Sequence, residues 1–157
     1  MTEPRRLLLV CLGNICRSPM AEGALRAQLA AAGLHAQVQV DSAGTGHWHI
    51  GSAPDPRAIA SASRNGVDIA GLRARQLDRR DFEDFDFILC ADRSTLRDAR
   101  ARAPDAARSR CMLMSEYADL GQIEIPDPYT GSNREFDHVW SLIERMSAAI
   151  VRRLDCR

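Results

Sequence analysis

The sequence contains no lysine: all 21 of its basic residues are arginine, and 21 acidic residues balance them. The formal net charge at pH 7 is therefore zero. A chain without excess charge gives no electrostatic reason to expect nucleic acid or a membrane surface as a partner, and we predict neither. Arginine supplies all of the positively charged side chains other than histidine, so a high frequency of arginine does not by itself indicate residues that bind phosphate.

Long hydrophobic runs are also missing. The apolar stretches fall well short of the ~20 residues that a membrane span requires. The apolar run after Arg5 and Arg6 covers only residues 7–10, which is too short for the core of a signal peptide. We therefore expect a protein of the cytoplasm rather than a membrane or exported protein.

Cysteine is present, but its arrangement suits neither a disulfide framework nor zinc. The five cysteines are an odd number and form no Cys-x2-Cys pair. They stand at positions 11, 16, 90, 111 and 156. His47 and His49 are close in the sequence, but no further ligand accompanies them. We predict a reducing compartment, no metal and no other cofactor.

The remaining composition is typical of one globular domain. With 157 residues, 45% of them hydrophobic and 27% charged, the chain is long enough for a proper core. It shows no repeat, linker or low-complexity tract. We predict a single domain over residues 1–157.

Apolar runs alternate with amphipathic segments along the chain. Strands are expected at residues 7–10, 36–40, 85–90 and 111–114. Helices are expected from Ser18-Pro19 to about Gly33 and over residues 55–64, 78–84, 91–101 and 136–154, with a long connection at 115–130. This alternation predicts an α/β fold, a doubly wound domain whose four-stranded parallel sheet is flanked by helices.

The most informative stretch joins the first strand to the first helix. The apolar strand ends near Cys11, a compact loop follows, and Ser18-Pro19 is typical of a helix start with Ser18 as the N-cap. In such a strand–loop–helix unit, backbone N–H groups and the helix dipole converge on an anion. We therefore predict a phosphate-binding loop after the first strand.

Cys11 is the candidate nucleophile of this loop. Its thiol is expected to lose the proton easily, because helix N-termini and nearby cations stabilise a thiolate. Arg17, six positions later, can hold two phosphate oxygens with its planar fork, and Ser18 can donate a hydrogen bond to the sulfur. A lone buried cysteine or lone arginine is ordinary, but the Cys-x5-Arg-Ser pattern predicts a nucleophile beneath a tetrahedral oxyanion. The loop lacks the Gly-Lys-Ser/Thr ending of a nucleotide-binding P-loop.

The segment Cys-Leu-Gly-Asn-Ile-Cys-Arg-Ser-Pro resembles the signature of the low-molecular-weight protein tyrosine phosphatase family. The likeness continues in the same order through residues 41–45 (Asp-Ser-Ala-Gly-Thr), 74–76 (Ala-Arg-Gln), 86–90 (Asp-Phe-Ile-Leu-Cys) and 127–129 (Asp-Pro-Tyr). It covers nearly the whole chain. Trp48 makes the chain look closer to the eukaryotic-type members than to the bacterial members tied to capsule export.

The resemblance implies a metal-independent hydrolase of phosphotyrosine-containing proteins that works through a phosphocysteine intermediate. Cys11 would attack phosphorus while Arg17 and the loop amides stabilise the phosphate oxygens. Asp127, held on a stiff turn between Pro126 and Pro128, would protonate the leaving oxygen and then activate water. We expect a monomer or a weak dimer.

The resemblance also implies residues that bind the substrate or support the loop. Trp48 and Tyr129 would wall the cleft and stack on a phenyl ring, which favours phosphotyrosine over phosphoserine. Asn14 and Ser42 would hold the loop in shape. The predicted phosphate-binding residues of the loop are Leu12, Gly13, Asn14, Ile15, Cys16 and Ser18. A reversible disulfide between Cys11 and Cys16, which would protect the nucleophile, is a further hypothesis.

One position departs from the family pattern, and three alternative functions stay open. Leu72 stands where many members carry a histidine that braces the loop. A thioredoxin-coupled arsenate reductase would need a second cysteine about seven residues from Cys90, where Arg97 stands. A protein-arginine phosphatase typically has threonine at the position of Ile15. A non-catalytic phosphotyrosine-binding module would lack Cys11 or the acid.

Overall fold

Four parallel strands form a single sheet in the computed structural model of the protein, which describes residues 5–155. The strands are β1 (Arg5–Cys11), β2 (Val38–Gly44), β3 (Phe87–Cys90) and β4 (Cys111–Leu113). Their order across the sheet is β2-β1-β3-β4, and all three pairings are parallel. The predicted α/β fold with four parallel strands is confirmed.

Helices cover both faces of the sheet. They are α1 (Arg17–Ala31), α2 (Pro56–Arg64), α3 (Asp81–Asp84), α4 (Arg93–Arg102), α5 (Met114–Tyr117) and α6 (Asn133–Leu154). Helices α1, α2 and α6 pack with Leu7 and Leu9 in one hydrophobic cluster. Helices α3 and α4 and a 3₁₀ helix (Asp105–Arg110) join Leu8 and Val10 in a second cluster. The sheet is therefore wound on both faces, as predicted.

The apolar run of β1 explains why there are two clusters. Successive side chains of a strand point to opposite faces, so Leu7 and Leu9 enter one cluster while Leu8 and Val10 enter the other. All four are at most 1% exposed, and burial of each such side chain contributes about 1.5–3 kcal/mol. The strand ends with Cys11 at the carboxyl edge of the sheet, where the winding direction changes. Open α/β sheets bind their ligands at this point.

The C-terminal helix α6 buries the apolar face that its sequence predicts. The buried residues of this face are Phe136, Val139, Trp140, Ile143, Met146 and Ile150. The helix begins three residues before Phe136, at Asn133. There the backbone N–H of Ser132 donates to the Glu135 carboxylate at 2.6 Å, which satisfies a donor at the helix start.

Two local predictions around the first helix and second strand are wrong. Ser18 is not the N-cap, since α1 already begins at Arg17 and Cys16 is the cap residue. The hydroxyl of Ser18 instead lies against Cys11. The second strand does not turn away after Val40 but continues to Gly44, because its last residues keep their parallel pairing with β1.

Smaller differences concern the second half of the chain. The third strand begins at Phe87 rather than at residue 85, and the fourth ends at Leu113 because Met114 starts α5. The 3₁₀ helix at Asp105–Arg110 was not predicted. Cys156 lies outside the described residues. Within residues 5–155, no helix has the length and apolar character needed to cross a membrane.

Candidate active site

The β1–α1 loop (residues 12–16) lies at the carboxyl edge of the sheet and is held by the backbone of its neighbours. The carbonyls of Cys11 and Leu12 accept hydrogen bonds from the N–H groups of Thr45 and Gly46 at 2.9 and 2.8 Å. The carbonyl of Ile15 accepts one from the Asp55 N–H at 2.8 Å. These three carbonyls are therefore bonded to the surrounding backbone, and the N–H groups of the loop are the donors that an anion would use.

Close approach of β2 to this loop requires a glycine at position 44. A Cβ atom on Gly44 would lie 2.7 Å from the carbonyl oxygen of Leu12 and 3.0 Å from the backbone nitrogen of Asn14. Both contacts are with backbone, which cannot move aside as a flexible side chain would. Gly44 therefore lets the end of β2 support the loop directly.

Cys11 lies at the base of the loop and is 2% exposed. Its sulfur is 3.0 Å from the hydroxyl oxygen of Ser18, in the first turn of α1. A thiolate can only accept, so the Ser18 hydroxyl is the donor when Cys11 is ionised. The pairing can stabilise the sulfur both as nucleophile and as leaving group.

Arg17 is buried, and two oxygens hold one end of its guanidinium. Nη1 donates to Asp92 Oδ2 at 2.6 Å and to the backbone carbonyl of Ile125 at 3.0 Å. Burial disfavours its charge, but the neighbouring Cys11 and Asp92 outweigh burial and raise the Arg17 pKa above its ordinary value. The guanidinium is thus a permanently charged group held in a fixed orientation.

Asp92 was not identified from the sequence beyond its place at the start of a helix. Its Oδ1 accepts from the Thr95 N–H at 2.8 Å, which caps α4, while Oδ2 binds Arg17. Burial alone would raise the Asp92 pKa, but the hydrogen bonds from Arg17 and Thr95 leave it below the ordinary value. A cap residue looks the same in a sequence whether or not its second oxygen has another partner.

Asp127 faces Arg17 across the opening of the site. Its Oδ2 is 3.8 Å from Arg17 Nη2, and its side chain is 47% exposed. Oδ1 accepts from the Tyr129 N–H at 3.1 Å, so the Pro-Asp-Pro turn also orients the carboxylate from behind. The structure therefore brings a carboxylate from the segment before α6 to a loop at the start of the chain.

A cleft of about 150 Å³ opens above Cys11. Its lining residues are Cys11, Leu12, Gly13, Ile15, Cys16, Arg17, Trp48, His49, Asp127 and Tyr129. The side chains of Trp48 and Tyr129 stand at the rim and are 64% and 49% exposed. A larger groove beside Arg26 and Phe85 contains none of the predicted site residues.

His49 lines the cleft but was considered in the sequence only as a metal ligand. Its ring lies so close to Gly13 that a Cβ there would be 3.0 Å from His49 Cδ2, and its centroid is 6.4 Å from that of Tyr129. The family resemblance implies Trp48 and Tyr129 as residues of the cleft wall but not His49. The place of His49 next to Trp48 in the same loop is the one sequence signal for its position.

The predicted residues Asn14, Ser18 and Ser42 lie beneath the cleft rather than in its wall. Asn14 has a φ of 57°, a conformation that asparagine tolerates better than most residues. Its Nδ2 donates to the hydroxyls of Ser18 and Ser42 at 2.7 and 3.0 Å, and its Oδ1 accepts from the Arg75 N–H at 3.0 Å. The amide is thus bonded at both ends and joins α1, β2 and the 74–76 segment.

Two expectations from the sequence remain, and they concern Cys16 and Leu72. Cys16 is buried, and burial, with a smaller effect of Asp55, raises its thiol pKa far above the ordinary value. Cys11 and Cys16 are both free, and a regulatory disulfide between them stays a prediction. Leu72 packs against the larger hydrophobic cluster. At the position where many family members carry a histidine, this chain therefore makes apolar contacts.

Comparison with known proteins agrees with this arrangement. A family model described as low molecular weight phosphotyrosine protein phosphatase matches residues 6–157. The phosphatase of that name from Schizosaccharomyces pombe is 45% identical over 138 residues, which are 87% of this chain and 88% of the relative. The one from Homo sapiens is 35% identical and covers 95% of both chains.

Solved structures give the same result. A protein tyrosine phosphatase from Entamoeba histolytica superposes with a TM-score of 0.90 at 30% identity and covers 96% of this chain and 97% of its own. YfkJ from Bacillus subtilis superposes with a TM-score of 0.89 at 35% identity and covers 98% and 96%. With eukaryotic and bacterial relatives aligned over nearly its full length, this chain belongs to the low molecular weight phosphotyrosine protein phosphatase family.

Proposed function

We propose that this protein hydrolyses phosphotyrosine in proteins, and aryl phosphate monoesters in general, with Cys11 as nucleophile, Arg17 as phosphate ligand and Asp127 as general acid and base. One observation carries the proposal. Asp127, more than 100 positions further along the chain, lines the same small cleft as Cys11 and Arg17, with the Cys11 sulfur at its base and the Arg17–Asp127 pair, 3.8 Å apart, at its side.

The phosphate would bind above Cys11, within the β1–α1 loop. The backbone N–H groups of the predicted binding residues 12–17 and the guanidinium of Arg17 would surround its oxygens. Such preorganised donors act most strongly on the charge that develops in the transition state. They supply the positive field that the reaction needs, so the proposed steps use no metal and no other cofactor.

In the first step the Cys11 thiolate attacks phosphorus, and a sulfur–phosphorus bond forms as the bond from phosphorus to the tyrosyl oxygen breaks. Protonated Asp127 gives its proton to that leaving oxygen. In the second step Asp127, now a carboxylate, takes a proton from a water molecule that attacks the phosphocysteine. The sulfur–phosphorus bond breaks, inorganic phosphate is released, and Ser18 donates to the departing thiolate.

The rim of the cleft favours an aromatic substrate. Trp48 and Tyr129 line the same cleft as Cys11, and their rings would pack on a phenyl group bound there. A phosphoserine side chain is shorter and would not reach the base of the cleft while its peptide stays at the rim. The bulk of Ile15 in the lining supports the same preference over phosphoarginine.

The setting of the reaction completes the proposal. Phosphotyrosine-containing proteins would be the partners of a single domain that acts as a monomer or weak dimer. The four described cysteines are free thiols, which suits the reducing cytoplasm. A zero net charge supports neither nucleic acid nor a membrane surface as a partner.

Hydrolysis of p-nitrophenyl phosphate without added metal at mildly acidic pH tests the assignment. Cys11→Ser should abolish turnover, and Asp127→Ala should lower kcat by about 10²–10⁴-fold while the protein still binds vanadate. Rapid quenching with labelled substrate should trap one phosphate per chain on Cys11. Vanadate binding without turnover by the wild type would instead indicate a phosphotyrosine-binding module, and activity in Cys11→Ser would exclude this nucleophile.

A further inference from the structure

Arg57, in the first turn of α2, contacts the turn over residues 127–131, which carries the proposed acid and which we call the acid turn. Nη2 of Arg57 donates to the backbone carbonyl of Tyr129 at 2.9 Å, and Nη1 donates to that of Gly131 at 2.8 Å. The acid turn is also closed by a hydrogen bond from the Gly131 N–H to the Pro128 carbonyl at 2.8 Å. One arginine side chain therefore holds two carbonyls of a closed turn.

Tyr129 connects Arg57 to the carboxyl group of Asp127. The carbonyl of Tyr129 accepts from Arg57, while its N–H donates to Asp127 Oδ1 at 3.1 Å. Because 47% of the Asp127 side chain is exposed, packing alone does not fix this carboxyl group, and the position of the Tyr129 backbone matters. The residue that orients Asp127 is thus itself held by Arg57.

Arg57 is anchored next to the β1–α1 loop by Asp55. Nε and Nη2 of Arg57 donate to the two carboxylate oxygens of Asp55 at 3.0 and 2.9 Å. The hydrogen bonds from Arg57 lower the pKa of the Asp55 carboxyl, although burial acts in the opposite direction. The N–H of Asp55 donates to the Ile15 carbonyl at 2.8 Å. The loop that would bind the phosphate is therefore joined to the acid turn through one Asp–Arg pair.

The guanidinium of Arg57 also packs against two aromatic rings. Its central carbon is 4.5 Å from the ring centroid of Phe136 on α6 and 5.9 Å from that of Tyr129. A flat cation stacks well on such a ring, and the stack restricts it to one orientation. A lysine could not make the two carbonyl bonds, the paired bonds to Asp55 and the aromatic contact at the same time.

We propose that Arg57 is a positioning residue that acts through the backbone of Tyr129 to hold Asp127 within reach of the leaving oxygen of a phosphate ester bound above Cys11. This inference rests on the proposed function, in which Asp127 protonates that oxygen. A change at Arg57 should therefore slow mainly the reactions that need the proton. A merely structural role would instead lower the rates for all substrates by a similar factor.

Substrates with different leaving groups test this role, with kcat/KM as the measure of the first chemical step. Phenyl phosphate needs a proton on its leaving oxygen, whereas dinitrophenyl phosphate releases a phenolate that is stable without one. Arg57→Met should lower kcat/KM about tenfold for phenyl phosphate and less than about twofold for dinitrophenyl phosphate. Arg64→Met is the matched control, because Arg64 lies on the same helix and joins it to α6 through Asp137. It should stay near wild type with both substrates.

A double-mutant cycle with Asp127→Ala establishes the route. Without the acid, Arg57 has no carboxyl group to position. The double variant Arg57→Met, Asp127→Ala should therefore hydrolyse phenyl phosphate no more slowly than Asp127→Ala alone. Additive losses would overturn the proposal. Equal losses of kcat/KM on the two substrates, or wild-type values in Arg57→Met, would also overturn it.

Arg57→Lys gives a second test that keeps the charge next to Asp55. It should show the same selective loss with phenyl phosphate, about 3–10-fold, because lysine lacks the planar set of donors. Wild-type rates in Arg57→Lys would overturn the proposal even if Arg57→Met failed to fold. Asp127→Ala alone separates the two levels of inference. If its loss did not depend on the leaving group, the proposed acid would be wrong and Arg57 would lose its role. A selective loss in Asp127→Ala but in neither Arg57 variant would overturn only the inference about Arg57.

Discussion

The base and the rim of the cleft are built in opposite ways. At the base, Cys11, Asn14, Arg17 and Ser18 are at most 3% exposed, and each has at least one specific hydrogen-bond partner. At the rim, Trp48 is more than half exposed and stacks on His47, with ring centroids 5.4 Å apart. Buried, fully bonded groups hold one geometry, whereas exposed rings can adjust to different peptides.

We therefore expect the base to determine catalysis and the rim to determine recognition of the substrate. Substitutions at the base should lower kcat for every substrate, because in the proposed mechanism the groups there act on the transferring phosphoryl group itself. Substitutions at the rim should change KM for protein and peptide substrates and leave small aryl phosphates almost unaffected. Asp127 lies between the two regions, since its half-exposed carboxylate is 3.8 Å from the buried Arg17 guanidinium.

Apart from loss of the nucleophile or the general acid, the largest effect is expected from Arg17→Lys. A lysine keeps the charge but cannot hold Asp92, the Ile125 carbonyl and two phosphate oxygens at once, so kcat should fall about 10²–10³-fold. Steady-state hydrolysis of p-nitrophenyl phosphate gives the value. Arg93→Lys, at a half-exposed arginine paired with Glu124, is the matched control and should stay near wild type. A fall of less than about threefold in Arg17→Lys would contradict a rigid base.

Gly44→Ala should damage the base without touching any side chain of the site. The added methyl group would be 2.7 Å from the Leu12 carbonyl oxygen, so the loop must shift, and we expect kcat to fall about 10–100-fold. Gly71→Ala is the matched control, because a Cβ there meets no atom within 4 Å. Equal activity of the two variants would show that the loop tolerates displacement.

Asp92→Asn should lower kcat about tenfold, because asparagine can still cap α4 but no longer pairs its charge with Arg17. The substitution also has a pH signature. Since the folded Asp92 pKa is lowered from 3.8, its contribution to stability is present above about pH 4 and is lost as the pH falls through the folded value. Melting temperatures of wild type and variant should therefore converge in acid. A constant difference down to pH 2 would contradict the assignment.

The smallest effect is expected at the rim. Trp48→Ala should raise KM for a phosphotyrosine peptide about 3–10-fold, which corresponds to the loss of one aromatic contact. The kcat for p-nitrophenyl phosphate should change less than twofold. Ile50→Ala, another exposed residue of the same loop, is the control. An equal loss of kcat on both substrates would place Trp48 with the base instead.

Residues close together in the sequence were predicted well. Cys11, Arg17 and Ser18 lie within one strand–loop–helix unit, where local geometry alone brings them together. The alternation of apolar and amphipathic segments was sufficient to predict the parallel sheet, because strands that are buried on both faces need continuous apolar runs. The prediction failed where a tertiary contact decided the local structure. Ser18, expected to cap α1, contacts Cys11 instead, and residues 41–44, beyond the expected end of the second strand, stay paired with β1.

By itself the sequence determined the α/β class, the position of the nucleophilic loop and the family resemblance, since these follow from local pattern and spacing. Only the tertiary structure decided which side chains from distant parts of the sequence contact the residues of this loop. Asp92 and the Ile125 carbonyl orient Arg17, and the Asn14 amide joins Ser18 to Ser42 and to the backbone of Arg75. These partners come from different elements, and parallel pairing of the strands brings their ends to one edge of the sheet. The spacing of residues along the sequence does not predict that these side chains lie close together.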